Sequence, residues 1–196
     1  MYKVYGLVPT RALRVLWTLE ELGQPYELIK AKPQSDAIRA VNPSGKVPVL
    51  QDGDDIITDS VAIMTYLSDK HGQLTYPFGS IQRAQMNSML CLLQDEFDAV
   101  LWTAARHSFA LPEEHRVPEV KKSLQWEFAR NLEQLEKRID GPYLVGDQMT
   151  IADILFTHCL NWAHSAKFPV ENQVVLDYAK TMRDRDAYKR ALANAN

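Results

Sequence analysis

The chain has 196 residues, 46% of them hydrophobic and 24% charged, with a formal net charge of -3. This balance is neither the profile of disorder nor that of a disulfide scaffold, and the length allows one sizeable core or two small ones. No stretch concentrates Lys and Arg, which excludes an electrostatic footprint for nucleic acid or anionic lipid. No apolar run approaches the ~20 residues of a membrane span. Met1 leads straight into Lys3-Val4-Tyr5 without the basic-then-apolar pattern of a signal peptide, so the expected compartment is the cytoplasm.

Lys3 to Leu7 read as a strand. Arg11 to Leu22 carry Leu13, Leu16, Trp17 and Leu19 at helical spacing, and Gly23 stops the run. Tyr26 to Ile29 resume as a strand, giving a right-handed crossover unit with two parallel strands. After the polar stretch at Pro33-Gln34-Ser35, Val47-Pro48-Val49-Leu50, the turn Gln51-Asp52-Gly53-Asp54 and Ile56-Ile57 predict a hairpin. Asp59 opens a helix with Ile63, Met64, Tyr66 and Leu67, closing near His71-Gly72.

Beyond about Phe78 the strand pattern disappears. Met86, Met89, Leu90, Leu93, Phe97, Val100 and Leu101 follow helical spacing, as do Val120, Leu124, Phe128, Leu132, Leu135 and Ile139; such stripes are packing surfaces. Pro112 and Pro118 bracket the break between the two runs, and Gly141-Pro142 ends the second. Thr150 and Asp153 have capping-box spacing, with Asp in place of the usual Glu, ahead of a buried helix from Ile151 to Trp162. The expectation is a sheet-containing domain over residues 1–76 and an all-helical domain over residues 80–196. The two cysteines, Cys91 and Cys159, lie alone in apolar helical stretches and read as small buried hydrophobes. The five histidines show no metal-ligand spacing, so no metal is expected.

Arg14-Val-Leu-Trp-Thr-Leu-Glu-Glu-Leu-Gly23, Asn42-Pro-Ser-Gly-Lys-Val-Pro48-Val-Leu and Asp59-Ser60-Val-Ala-Ile-Met-Thr-Tyr-Leu67 stand in an order and spacing that resemble the glutathione transferase superfamily. The Gly146 to Asp153 segment resembles that family's helical capping motif, and Asp186-Ala-Tyr-Lys-Arg-Ala-Leu192 its C-terminal helix. The likeness covers nearly the whole chain and fits a bacterial-type, Ser/Thr-like cytosolic class. It implies a thioredoxin-like α/β N-terminal domain that binds glutathione, followed by an all-α C-terminal domain. It also implies a homodimer acting in detoxification.

Glutathione presents a zwitterionic γ-glutamyl end, a peptide middle, a thiol and a glycine carboxylate. By the resemblance, Ser60 takes the γ-glutamyl carboxylate at a helix N-terminus, and Asp59 pairs with the neighbouring ammonium, Asp replacing the commoner Glu. From position alone, Asp59 or Thr58 is equally a simple helix cap. Val47-Pro48 resembles the family's cis-proline step, which implies main-chain pairing between Val47 and the cysteinyl residue of glutathione. Lys46 is a candidate for a glutathione carboxylate and Lys32 a weaker one for the glycine end; either also reads as a solvated lysine.

Thr10 stands where many family members carry Ser and others Cys or Tyr, and Pro9 occupies the adjacent position where some classes place the serine. Lowering a thiol pKa of ~8.5 by two units needs about 2.7 kcal/mol of selective anion stabilisation. A hydroxyl bonded to a charged acceptor gives about 1.5–3 kcal/mol. Thr10 is therefore the candidate thiolate donor, with N-cap as its bland reading and Arg11 as the competing cation. Trp102, Arg106 and His107 on the first long helix are candidates for an electrophile pocket between the domains, although they also read as core and solvated surface. The leading expectation is conjugation of the glutathione thiolate to small electrophiles. Glutathione-dependent disulfide or peroxide reduction, and a non-catalytic glutathione-binding or protein-interaction module, are the alternatives.

Overall fold

A computed structural model describes residues 1–139 and 141–194. The chain forms two compact units, one built from Met1–Phe78 with the segment from Met182 onward, the other from Gly79–Thr181. The last helix, grouped with the helical region on sequence pattern alone, therefore belongs to the sheet-containing unit.

In the first unit β1 (Tyr2–Gly6), β2 (Tyr26–Lys30), β3 (Val49–Asp52) and β4 (Asp55–Thr58) form one four-stranded sheet in the order β2-β1-β3-β4. β1 pairs parallel with β2, Tyr2 opposite Tyr26, and antiparallel with β3, Val4 opposite Leu50. The parallel pair follows from the crossover helix α1 (Leu13–Glu21), and the antiparallel pair β3–β4 from the two-residue turn at Gly53 and Asp54, where Gly53 supplies a positive φ. Val4, Val49 and Leu50 are buried on the sheet. Val15, Leu16 and Leu19 of α1 and Ile63, Met64 and Leu67 of α3 (Ser60–His71) are buried as well.

Regular helix begins later than the hydrophobic spacing suggests. Val8–Ala12 form an irregular turn in which Pro9 and Thr10 leave helical dihedrals, Thr10 lying at φ -133° and ψ -177°. Pro9 contributes no N–H, so the ladder cannot be extended backwards through it, and Thr10 stays extended at the mouth of α1. A short helix, α2 (Asp36–Arg39), precedes the loop into β3. Helix α9 (Asp186–Ala193) lies on α1, where Tyr188 meets Trp17 edge-on with ring centroids 4.8 Å apart. The Arg185 guanidinium grips the Glu21 carboxylate with two bonds, of 2.6 and 2.8 Å.

The second unit is helical: α4 (Ile81–Leu93), α5 (Ala99–Ala105), α6 (Val120–Glu136), α7 (Ile151–Ser165) and most of α8 (Gln173–Arg183). A widened helical turn at Gln94–Asp98 joins α4 to α5, and Phe97 on it inserts edge-on against Phe128 and Phe156, with centroids 5.2 and 5.5 Å away. The expected capping box opens α7: Thr150 Oγ1 accepts from the Ala152 N–H at 3.3 Å and Asp153 accepts from the Thr150 N–H at 2.7 Å. Asp153 does more than cap, because it also accepts from the Leu144 N–H at 2.9 Å and the Tyr178 hydroxyl at 2.7 Å. Cys159 is buried on α7 as expected, whereas Cys91 is exposed on α4. The reason is phase: Met89, Leu90 and Leu93 form the inward stripe of α4 and Cys91 falls off it. Among the described residues, no helix is long and apolar enough to cross a membrane.

Candidate functional site

The first unit gathers most of the predicted residues around the end of β1 and the starts of α1 and α3. Gly6 ends β1 at φ 153°. A Cβ on Gly6 would meet Ala12 Cβ at 2.7 Å, Val47 Cβ at 3.5 Å and Thr10 Oγ1 at 3.9 Å. Only glycine fits this close approach, and the same geometry shows that Thr10 and Val47 flank a single point.

Thr10 is half-buried, and its hydroxyl is engaged on both sides. It donates to the Leu7 carbonyl at 2.6 Å and accepts from the Ala12 N–H at 3.1 Å. The second bond ties the turn that leads into α1, whose own N-cap position, Ala12, carries no side-chain cap. The Leu7 carbonyl also receives the Thr10 N–H at 3.0 Å, and would stay paired if the hydroxyl proton turned elsewhere. Arg11 beside it is half-buried.

The Val47-Pro48 peptide is cis. Pro48 is buried, Val47 half-buried, and the Lys46 side chain exposed, as is Lys32. Asn42 anchors this loop. Its Oδ1 accepts from the Ser44 N–H at 3.2 Å and the Ser44 hydroxyl at 2.9 Å, while its Nδ2 donates to the Lys46 carbonyl at 2.9 Å. Because the Lys46 carbonyl and the Val47 N–H share one planar peptide, Asn42 sets the direction in which Val47 offers its N–H.

Asp59 caps α3 from an unusual backbone position, φ 71° and ψ 127°, and its Oδ1 accepts from the N–H groups of Val61 at 2.9 Å and Ala62 at 3.1 Å. A non-glycine residue so placed carries about 1–3 kcal/mol of local strain, and such strain concentrates at functional sites. Ser60, the first residue of α3, is only 2% exposed. Its Oγ accepts from Arg14 Nη1 at 3.1 Å, and Arg14 itself is 1% exposed. One helix therefore carries Thr10 at its mouth and, one turn further in, an arginine that reaches the start of α3.

Trp102, Arg106 and His107 lie on the helical unit. Trp102 on α5 is half-buried, with its ring centroid 6.5 Å from that of Trp162. Arg106 Nη2 donates to Thr103 Oγ1 at 2.9 Å, and His107 Nδ1 accepts from the Val117 N–H at 3.1 Å. Among the described residues, no group of three or more His, Cys, Asp or Glu side chains could hold a metal ion.

Gly6, Arg14 and Asn42 received no role from sequence reasoning. Gly6 announces itself only as a glycine closing a strand, and Asn42 by the Asn-Pro-Ser-Gly turn composition. Arg14 lies outside the stripe of Leu13, Leu16, Trp17 and Leu19, and its burial is seen only in the structure.

Residues 11–75 match the family described as Glutathione S-transferase, N-terminal domain, and residues 94–180 the Glutathione S-transferase, C-terminal domain. The chain belongs to the glutathione S-transferase family of enzymes. It is 30% identical over 186 residues to glutathione S-transferase GstA of Escherichia coli O157:H7, covering 90% of each protein. Its fold matches BphK, a bacterial glutathione S-transferase solved as a ternary complex, with a TM-score of 0.88 and 25% identity over 99% of this chain and 100% of that one. It also matches the theta class enzyme of Xanthomonas axonopodis pv. citri with glutathione bound, with a TM-score of 0.78 and 24% identity over 97% of this chain and 96% of that one. These likenesses agree with a thioredoxin-like α/β unit followed by helices.

Proposed function

We propose that the protein conjugates glutathione to small electrophiles, and that the site around β1, α1 and α3 binds the tripeptide. The observation that carries this reading is the start of α3, where Asp59 holds a strained cap and Ser60 is held by a buried arginine. Glutathione bound to the Xanthomonas axonopodis pv. citri enzyme of the same fold supports it.

In this reading Ser60 and the first N–H groups of α3 take the γ-glutamyl carboxylate, where an anion is favoured by the helix dipole. Asp59 takes the ammonium. Val47 pairs through its main chain with the cysteinyl residue, Pro48 shapes that turn, and Lys46 reaches a carboxylate. The thiol then comes within reach of the Thr10 hydroxyl. Turning the Thr10 proton from Leu7 to sulfur exchanges a neutral hydrogen bond of about 0.5–1.5 kcal/mol for a charge-assisted one of about 1.5–3 kcal/mol. The exchange favours the thiolate, and the N-terminus of α1 and Arg11 add positive potential beside it. The thiolate attacks an electrophilic carbon, a C–S bond forms and the leaving group departs with its electron pair. Trp102, Arg106 and His107 are the candidates for contacting that electrophile. Homodimerisation and a cytoplasmic, detoxifying role complete the proposal, supported by the family resemblance.

The test compares an activated aryl halide with a mixed disulfide of glutathione as substrates for the purified chain. Turnover of the halide with release of halide ion supports conjugation. Turnover of the disulfide alone replaces conjugation with thiol-disulfide exchange.

A further inference from the structure

We infer that Arg14 is a positioning residue that orients the Ser60 hydroxyl as a donor, places a positive charge behind it, and so selects for the α-carboxylate of the γ-glutamyl group. The inference rests on the assignment of Ser60 to that group. A serine hydroxyl carries one proton and two lone pairs, and its rotor ordinarily turns to suit whichever partner arrives. Arginine has only donors. With Arg14 Nη1 donating to Ser60 Oγ at 3.1 Å, a lone pair of that oxygen is committed, and the hydroxyl proton points to some other acceptor. Arg14 and Ser60 are 1% and 2% exposed, so water does not compete for this bond.

The pair therefore turns the hydroxyl proton away from the guanidinium, so that it is offered to whatever occupies the start of α3. It also places a full positive charge one bond behind that donor in a poorly screened setting. A carboxylate benefits from both features. A hydrogen or a carboxamide at the same position benefits from neither, or only from the donor. Arg14 is held in place from its own helix, because Thr18 Oγ1 donates to the Arg14 carbonyl at 2.8 Å and α1 is buried around it. Arg14 touches Ser60, and its role in binding runs through that residue.

The experiment measures glutathione dissociation constants by calorimetry for the wild type, Arg14→Gln, Arg14→Lys, Ser60→Ala and the Arg14→Gln/Ser60→Ala double variant. Each is also titrated with 4-aminobutyryl-cysteinyl-glycine, which keeps the amine of the γ-glutamyl end and lacks only its α-carboxylate, and with the glutathione analogue whose α-carboxylate is a carboxamide. Arg14→Gln and Ser60→Ala should each weaken glutathione about tenfold, and the double variant should be no worse than either single one. Arg14→Lys should recover most of the loss. Neither carboxylate-free ligand should respond by more than about twofold, and kcat at saturating glutathione should stay near wild type while KM rises. A near-ultraviolet circular dichroism spectrum is taken for every variant. Should Arg14→Gln fail to fold, Arg14→Lys against the three ligands carries the same decision: selective retention of carboxylate preference supports the role and equal weakening of all three overturns it. Additive losses in the double variant, or equal loss for all three ligands, overturn the inference while leaving Ser60 in place. A wild type that binds the three ligands equally overturns the Ser60 assignment, and the inference with it.

Discussion

The Thr10 hydroxyl donates to the Leu7 carbonyl at 2.6 Å, and that carbonyl also receives the Thr10 N–H at 3.0 Å. The redundancy matters because the hydroxyl proton can be redirected without leaving Leu7 unpaired. Thr10→Ala should raise the pKa of bound glutathione by about one unit and lower kcat/KM about tenfold, matching the loss of one charge-assisted bond. Thr10→Ser should retain or improve activity, since removal of the methyl frees the rotamer. Steady-state kinetics on the aryl halide check both.

Asp59 joins a cap to a negative charge, and Asn separates the two. Asp59→Asn keeps a side-chain oxygen for the Val61 and Ala62 N–H groups and tolerates positive φ. It should unfold within about 0.5 kcal/mol of the wild type while weakening glutathione several-fold. Asp59→Ala should lose about 1 kcal/mol of stability as well. Denaturant midpoints and calorimetric binding, taken together, distinguish these outcomes.

Asn42 is 8% exposed and ties the Lys46 carbonyl to Ser44. Asn42→Asp keeps the acceptor and removes the donor to Lys46, so the loop persists while the peptide before Val47 loosens. Glutathione KM should rise about tenfold with little change in kcat, because a lost hydrogen bond of about 1–1.5 kcal/mol acts on binding alone. A rise in kcat, or an unchanged KM, would contradict this role.

Asp153 is buried, and its burial pushes the carboxyl above the ordinary 3.8, opposed by the donors from Leu144, Thr150 and Tyr178. Asp153→Ala strands those donors and should cost about 3–5 kcal/mol. The sign of the pH effect follows from the raised value. The folded chain binds the proton more readily than the unfolded one, so this contribution is full below 3.8 and is lost as pH rises through the folded pKa. The stability gap between wild type and Asp153→Asn should therefore narrow as pH rises from 3.8 and level off above the folded value. Chemical denaturation across a pH series reads it.

Patterns of local chemistry were legible in the sequence, and relations between distant segments were not. Hydrophobic period located both the crossover β1-α1-β2 and the β3–β4 hairpin, and Thr150 with Asp153 announced their cap by spacing. Cys91 reads as buried from its apolar stretch and is exposed, because one residue of helical phase decides between core and surface. The packing of α9 on α1, through Tyr188 on Trp17 and Arg185 on Glu21, joins residues 171 and 164 apart along the chain, and no local period carries that information. The bond from Arg14 to Ser60 was hidden for the same reason: helical spacing names no partner 46 residues away.

The most direct measurement is the ultraviolet thiolate absorbance of glutathione bound to the wild type, titrated across pH beside Thr10→Ala. A bound thiol that ionises well below its ordinary ~8.5, and moves back toward it in Thr10→Ala, is the predicted result. Glutathione bound at full strength with an unshifted thiol pKa would contradict thiolate activation at this site.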